Sequence, residues 1–165
     1  MSVQPIIELL NKITQLHQSL LNISESKTEI LKKGDMDQLQ AQLKQEQKHV
    51  QAINQLETKR IELMTTWANE RGIDATTVTV SVLLNQYLEG TEKESLQNTT
   101  TALTETLAQI KQQEQLNREL TAQSMQFVQL SLDMLSPSMK TMNYNNKSTK
   151  QVNHSQARSL FDSKA

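Results

Sequence analysis

The chain has 165 residues, a formal net charge of −1, 36% hydrophobic and 3% aromatic residues, and no cysteine. So few large side chains cannot build a thick core around a buried pocket, whereas a thin seam between long helices needs far fewer; disulfides, thiolate metal sites and thiol redox chemistry are excluded. The N-terminus "MSVQPIIELL" has neither a basic region nor a continuous apolar run, and nothing approaches a transmembrane span, so the expected setting is cytoplasmic, with no membrane insertion.

Pro5 opens the first periodic segment, at a position where a missing N–H costs nothing. Ile6, Leu9, Ile13, Leu16, Leu20, Ile23 and Ile30 then step by threes and fours, with Lys27 breaking the row. A helix over 5–33 is predicted. Lysines followed by Gly34 mark its end. Asp35 and Gln38 have the spacing of a capping box for a second helix over 36–71. Its predicted seam is Met36, Leu39, Leu43, Val50, Ile53, Leu56, Leu63 or Met64, and Trp67, with Glu46 and Arg60 interrupting it. A turn this short forces an antiparallel hairpin.

"TTVTVSVLLNQYLEG" is ambiguous. Val78, Val80 and Val82 alternate like a strand, but the sequence offers no second strand to pair with. A short helix over 78–88, plugging one end of the hairpin with Trp67, is the expectation. Thr91 and Glu94 suggest another capping box, and a third helix is predicted over 92–136, stopped by Pro137. Its first half carries a seam at Leu96, Leu103, Leu107 and Ile110. Beyond it, Glu114, Asn117, Thr121 and Ser124 fill the seam, and the apolar row shifts to Leu116, Leu120, Phe127, Leu130 and Met134, flanked by Val128, Leu132 and Leu135.

At 1.5 Å per residue the third helix is about 67 Å long and overshoots the Gly34 turn by about 13 Å if it runs back along the second. Its last apolar residues then lack an intramolecular neighbour, which points to a partner. Methionine side chains suit an adaptable site. Self-association through this helix is the alternative use of the same surface.

The fold class expected is therefore all-α. An antiparallel hairpin and a long third helix form a coiled-coil-like bundle over 1–137, and 138–165 is a flexible tail rich in Asn, Ser, Lys and Gln. Met139, Met142 and Tyr144, and further on Leu160 and Phe161, are its apolar islands. Lys140, Lys147, Lys150, Arg158 and Lys164 against Asp162 leave the tail at about +4 and the remainder at about −5. Without arginine density or interleaved aromatics this does not read as a nucleic-acid-binding segment. His17, His49 and His154 have no partners at metal-site spacing, and there is no glycine-rich loop, nucleophile elbow or carboxylate constellation. An enzyme, a cofactor and a metal are not expected.

The layout of hairpin, short insert and long third helix, the pair Leu116–Asn117, the run "SLDMLSP", Tyr144 in a polar stretch and the closing "SLFDSKA" together resemble the FlgN family of flagellar export chaperones. The resemblance implies binding to the C-terminal helical segments of the hook-associated junction proteins, which are thereby kept from premature assembly and carried to the type III export gate. It makes the client site Leu116, Leu120, Phe127, Val128, Leu130, Met134, Leu135, Met139 and Met142. Tyr144 becomes the contact for the cytoplasmic domain of the export-gate protein FlhA. Asn145 follows it where family members often have glycine. The alternative is a homodimerising helical adaptor.

Overall fold

The computed structural model describes residues 2–135. Among them the fold is all-α: α1 (Gln4–Lys33), α2 (Met36–Asn69), a short α3 (Val80–Val82) running into a π-helical turn (Leu83–Tyr87), and α4 (Gly90–Leu135). The tail expected over 138–165, and the stop at Pro137, lie outside the described residues. One compact unit ends at Thr121 and a second begins at Ala122.

Punctuation acts where the sequence places it. Pro5 sits in the first turn of α1. Gly34, at φ 70°, takes the left-handed conformation that ends it, and the N–H groups of Gly34 and Asp35 close back on Ile30 O. The Asp35 carboxylate then accepts from Gln38 N at 3.0 Å and caps α2. Gly72 closes α2 in the same way, with Ile73 N donating to Ala68 O at 3.0 Å. α4 begins two residues earlier than expected, at Gly90, so Thr91 lies in its first turn and is not its cap.

The ambiguous segment is neither strand nor plain helix. Thr79 is extended and its hydroxyl accepts from Val82 N, starting the short α3. The following turn widens so that Leu88 N donates to Leu83 O, five residues back. Val78, Leu83 and Leu88 thereby point together into one cluster with Val3, Ile6, Ile7, Leu10, Met64, Trp67, Ala68 and Leu96. Trp67 is 1% exposed; its ring meets Tyr87 edge-on at 5.4 Å, and the Arg71 guanidinium lies 4.1 Å over it. This cluster holds the ends of α1, α2 and the insert together with the start of α4.

Cross-helix bonds give the directions. Ser19 with His49 and Ile23 O with Gln42 set α2 antiparallel to α1. Ser2 with Glu92, Asn11 with Thr99 and Ser24 with Glu114 run in the same order on both helices, so α4 is parallel to α1 through the first unit.

The predicted seams need correcting. Met36, Leu43 and Val50 are exposed, and α2 instead turns inward Leu39, Gln42, Glu46, His49, Ile53, Leu56, Arg60, Leu63 and Trp67. Leu107 is exposed too; the inward row of α4 is Leu96, Thr99, Leu103, Thr106, Ile110, Gln113 and Asn117. Both rows keep an unbroken three–four spacing by accepting polar residues. Following the apolar residues alone led off the true seam.

Candidate functional site

The seam breaks at Lys27, Glu46 and Glu114 meet one another. Lys27 Nζ lies 2.9 Å from Glu46 Oε2 on α2 and 2.9 Å from Glu114 Oε1 on α4, and its side chain is 9% exposed. The Ser24 hydroxyl donates to Glu114. Asn117, 3% exposed, donates to Ser24 O at 2.9 Å and to Ser24 Oγ at 3.1 Å, and accepts from the Thr28 hydroxyl, which accepts in turn from Gln113. Burial works against both charges. The bonds from Lys27 to Glu114 and Glu46, with their charges, nevertheless hold the lysine above its usual range. Ser24 and Lys27 likewise hold Glu114 below the usual carboxylate range. The sequence shows each break separately, with Glu114 and Asn117 filling an apolar seam and Asn117 also part of the Leu116–Asn117 pair. The legible signal was that all three helices break their rows.

An open groove of about 460 Å³ lies among Leu10, Arg60, Ile61, Met64, Val80 and Leu103. Arg60 is already engaged, donating to Glu57 at 2.8 Å and lying 2.9 Å from Met64 Sδ. Glu57 and Arg60 are the charged residues of its lining, and they are paired with each other. His17 bonds Ile13 O, and His49 bonds Ser19 Oγ and Gln45 O. Among the described residues no cluster of His, Cys, Asp or Glu could hold a metal ion, and no helix is long and apolar enough to cross a membrane. His154 lies outside the described residues.

The residues expected to bind a client divide. Leu116 is 42% exposed and Leu120 is half-buried, both in the first unit. In the second unit Met125, Phe127, Val128, Leu130, Leu132 and Met134 are each more than half exposed, with Phe127 at 71%. Phe127, Leu130 and Met134 recur at helical spacing on one face; Met125, Val128 and Leu132 fall on others. Leu135 closes the described helix. Met139, Met142 and Tyr144 lie outside the described residues.

No solved structure matches the chain. A Bacillus subtilis (strain 168) protein named "Uncharacterized protein YvyG" is 38% identical over 165 residues, 100% of both chains. The family model described as "FlgN protein" matches residues 1–151. With that match across most of its length, the chain belongs to the FlgN protein family, a membership that supports a flagellar export chaperone role.

Proposed function

We propose that this protein binds the C-terminal helical segments of hook-filament junction proteins, prevents their premature assembly and delivers them to the flagellar type III export gate in the cytoplasm. The observation that carries the reading is the run of six apolar side chains between residues 125 and 134, each more than half exposed. An exposed apolar surface this dense is costly in water unless a partner covers it. An amphipathic client helix would lay its own apolar stripe along Phe127, Leu130 and Met134, and Leu116 and Leu120, eleven and seven residues before Phe127 in sequence, are proposed client contacts as well. Met134, with Met139 and Met142 outside the described residues, would give a site able to repack around more than one client. Val128 and Leu135 flank that row.

Tyr144 is proposed as the anchor on the FlhA cytoplasmic domain: a tyrosine in a polar segment suits an interface, and the resemblance to the family supports a gate contact at that position. Light scattering tests the reading. The chain alone should run as a monomer and shift to a one-to-one complex when a junction protein's C-terminal segment is added. A tight dimer that ignores the segment would replace the chaperone with a homodimerising adaptor.

A further inference from the structure

α4 is fastened to α1 in two different ways. At its start, Leu96 is fully buried in the Trp67 cluster and Leu103 packs against that cluster. Among the described side chains of α4 beyond Leu103, the buried ones are Thr106 and Asn117, both polar, while Ile110 is only partly covered. α1 and α2 keep buried isoleucines of their own at Ile13, Ile23, Ile30 and Ile53. The second attachment of α4 is therefore the polar layer: Lys27 to Glu114, Ser24 to Glu114, Thr28 to Gln113 and Asn117, and Asn117 to Ser24. Hydrogen bonds and ion pairs are largely exchanged for equivalent bonds to water on opening, whereas buried apolar area is not.

From the first attachment onward, threonine hydroxyls of α4 bond its own backbone. The hydroxyls of Thr100, Thr104 and Thr106 donate to the carbonyls four residues back, of Leu96, Thr100 and Ala102, at 2.7 to 2.9 Å. Back-bonding of this kind loosens the helical ladder and bends it. Three such bonds fall within seven residues, beside the last apolar anchor of α4 in the cluster.

We infer that α4 is a hinged arm: it is anchored at Leu96, it pivots over Thr100, Thr104 and Thr106, and the Lys27–Glu46–Glu114 layer with Asn117 is a releasable clasp that closes residues 106–121 onto α1. The layer suits a clasp because it is specific in register. Lys27 faces a carboxylate from each neighbouring helix, and a one-turn slip of α4 would take Glu114 away from Lys27 and Ser24 and leave it short of partners, a costly state, while Lys27 kept Glu46. The layer thus favours one register of α4 on α1. The clasp is a property of the free chain, whatever binds to it.

Native-state hydrogen exchange on the full chain tests this. In Lys27→Met, amides over 106–121 should exchange at least tenfold faster than in the wild type, while those around Ala68 and Leu96 keep their rates. In Lys27→Met combined with Glu46→Leu and Glu114→Leu, an apolar layer replaces the clasp, and 106–121 should become more protected than in the wild type. If Lys27→Met does not fold, Glu114→Gln is judged by the same criterion. Equal acceleration at Ala68, Leu96 and 106–121, or unchanged exchange over 106–121, would overturn the hinged arm.

Discussion

The adjacent pair Leu116–Asn117 gives the sharpest contrast between a residue that holds the fold and one free to act. Asn117 is 3% exposed and spends both ends of its amide on α1, donating to Ser24 O and Ser24 Oγ and accepting from the Thr28 hydroxyl. In Asn117→Ala the Thr28 and Ser24 hydroxyls each lose a partner in a buried setting. A net bond contributes about 1 kcal/mol and a stranded buried group costs about 1 to 3 kcal/mol. Part of that is recovered, because Thr28 Oγ1 can turn to Ser24 O at 3.2 Å. The expected loss is about 2 to 3 kcal/mol, felt where α4 meets α1. At 1.4 kcal/mol per decade this is a rise of roughly thirtyfold to a hundredfold in opening of residues 106–121. Leu116, already 42% exposed, should behave differently. Full burial of a leucine is worth about 1.5 to 3 kcal/mol, and only part of that is realised here, while alanine recovers some by helix propensity. Leu116→Ala should cost under about 1 kcal/mol. Amide exchange on the two variants, side by side, decides the matter. Equal effects, or a larger one for Leu116→Ala, would mean that the polar layer does not hold α4 and that the inward face has been misassigned.

Trp67→Ala removes the largest side chain of the plugging cluster and should lower stability by about 3 to 5 kcal/mol, read as a fall in the urea midpoint; a change below about 1 kcal/mol would show that the insert does not depend on it. Glu114 adds stability that is full above its ordinary 4.5 and is lost as pH falls through its lowered value; Lys27 adds stability that is full below its ordinary 10.5 and is lost as pH rises through its raised value. Protection of residues 106–121 should therefore be flat between about pH 5 and 10 and fall at both extremes, and a steep change near pH 7 would contradict this assignment. Tyr144→Ala should keep client affinity but weaken the chaperone–client complex's hold on the FlhA cytoplasmic domain by about 2 kcal/mol, roughly thirtyfold in a titration; equal affinities would remove the tyrosine from docking.

Helix ends were the most readable part of the chain. Pro5, Gly34, Asp35 and Gly72 act through local backbone geometry, so a few neighbouring residues suffice to place them. The faces were less readable, because burial depends on what lies opposite. Met36, Leu43 and Val50 form a tidy apolar heptad row, yet Gln42, Glu46 and His49 turn inward because Ile23 O, Lys27 and Ser19 are there to receive them. No pattern within α2 alone carries that information. The π-helical turn at Leu83–Tyr87 was invisible for the same reason: it exists to aim Leu83 and Leu88 at a cluster assembled from three other elements. The exposed row through Phe127, Leu130 and Met134 could be picked out beforehand, since apolar residues that step off a seam have nowhere inside to go.

The central claim is that this row receives the client. Phe127→Asp places a charge where the free chain is 71% exposed, so the monomer should keep its helicity and thermal midpoint. Against a client helix the same carboxylate would be buried without a partner, a cost of several kcal/mol. Calorimetric titration of the wild type and of Phe127→Asp with a junction protein's C-terminal segment is the direct test. The account predicts an unchanged circular dichroism spectrum and at least a hundredfold weaker binding for the variant. Wild-type affinity in Phe127→Asp, or loss of its helical signal before any client is added, would contradict it.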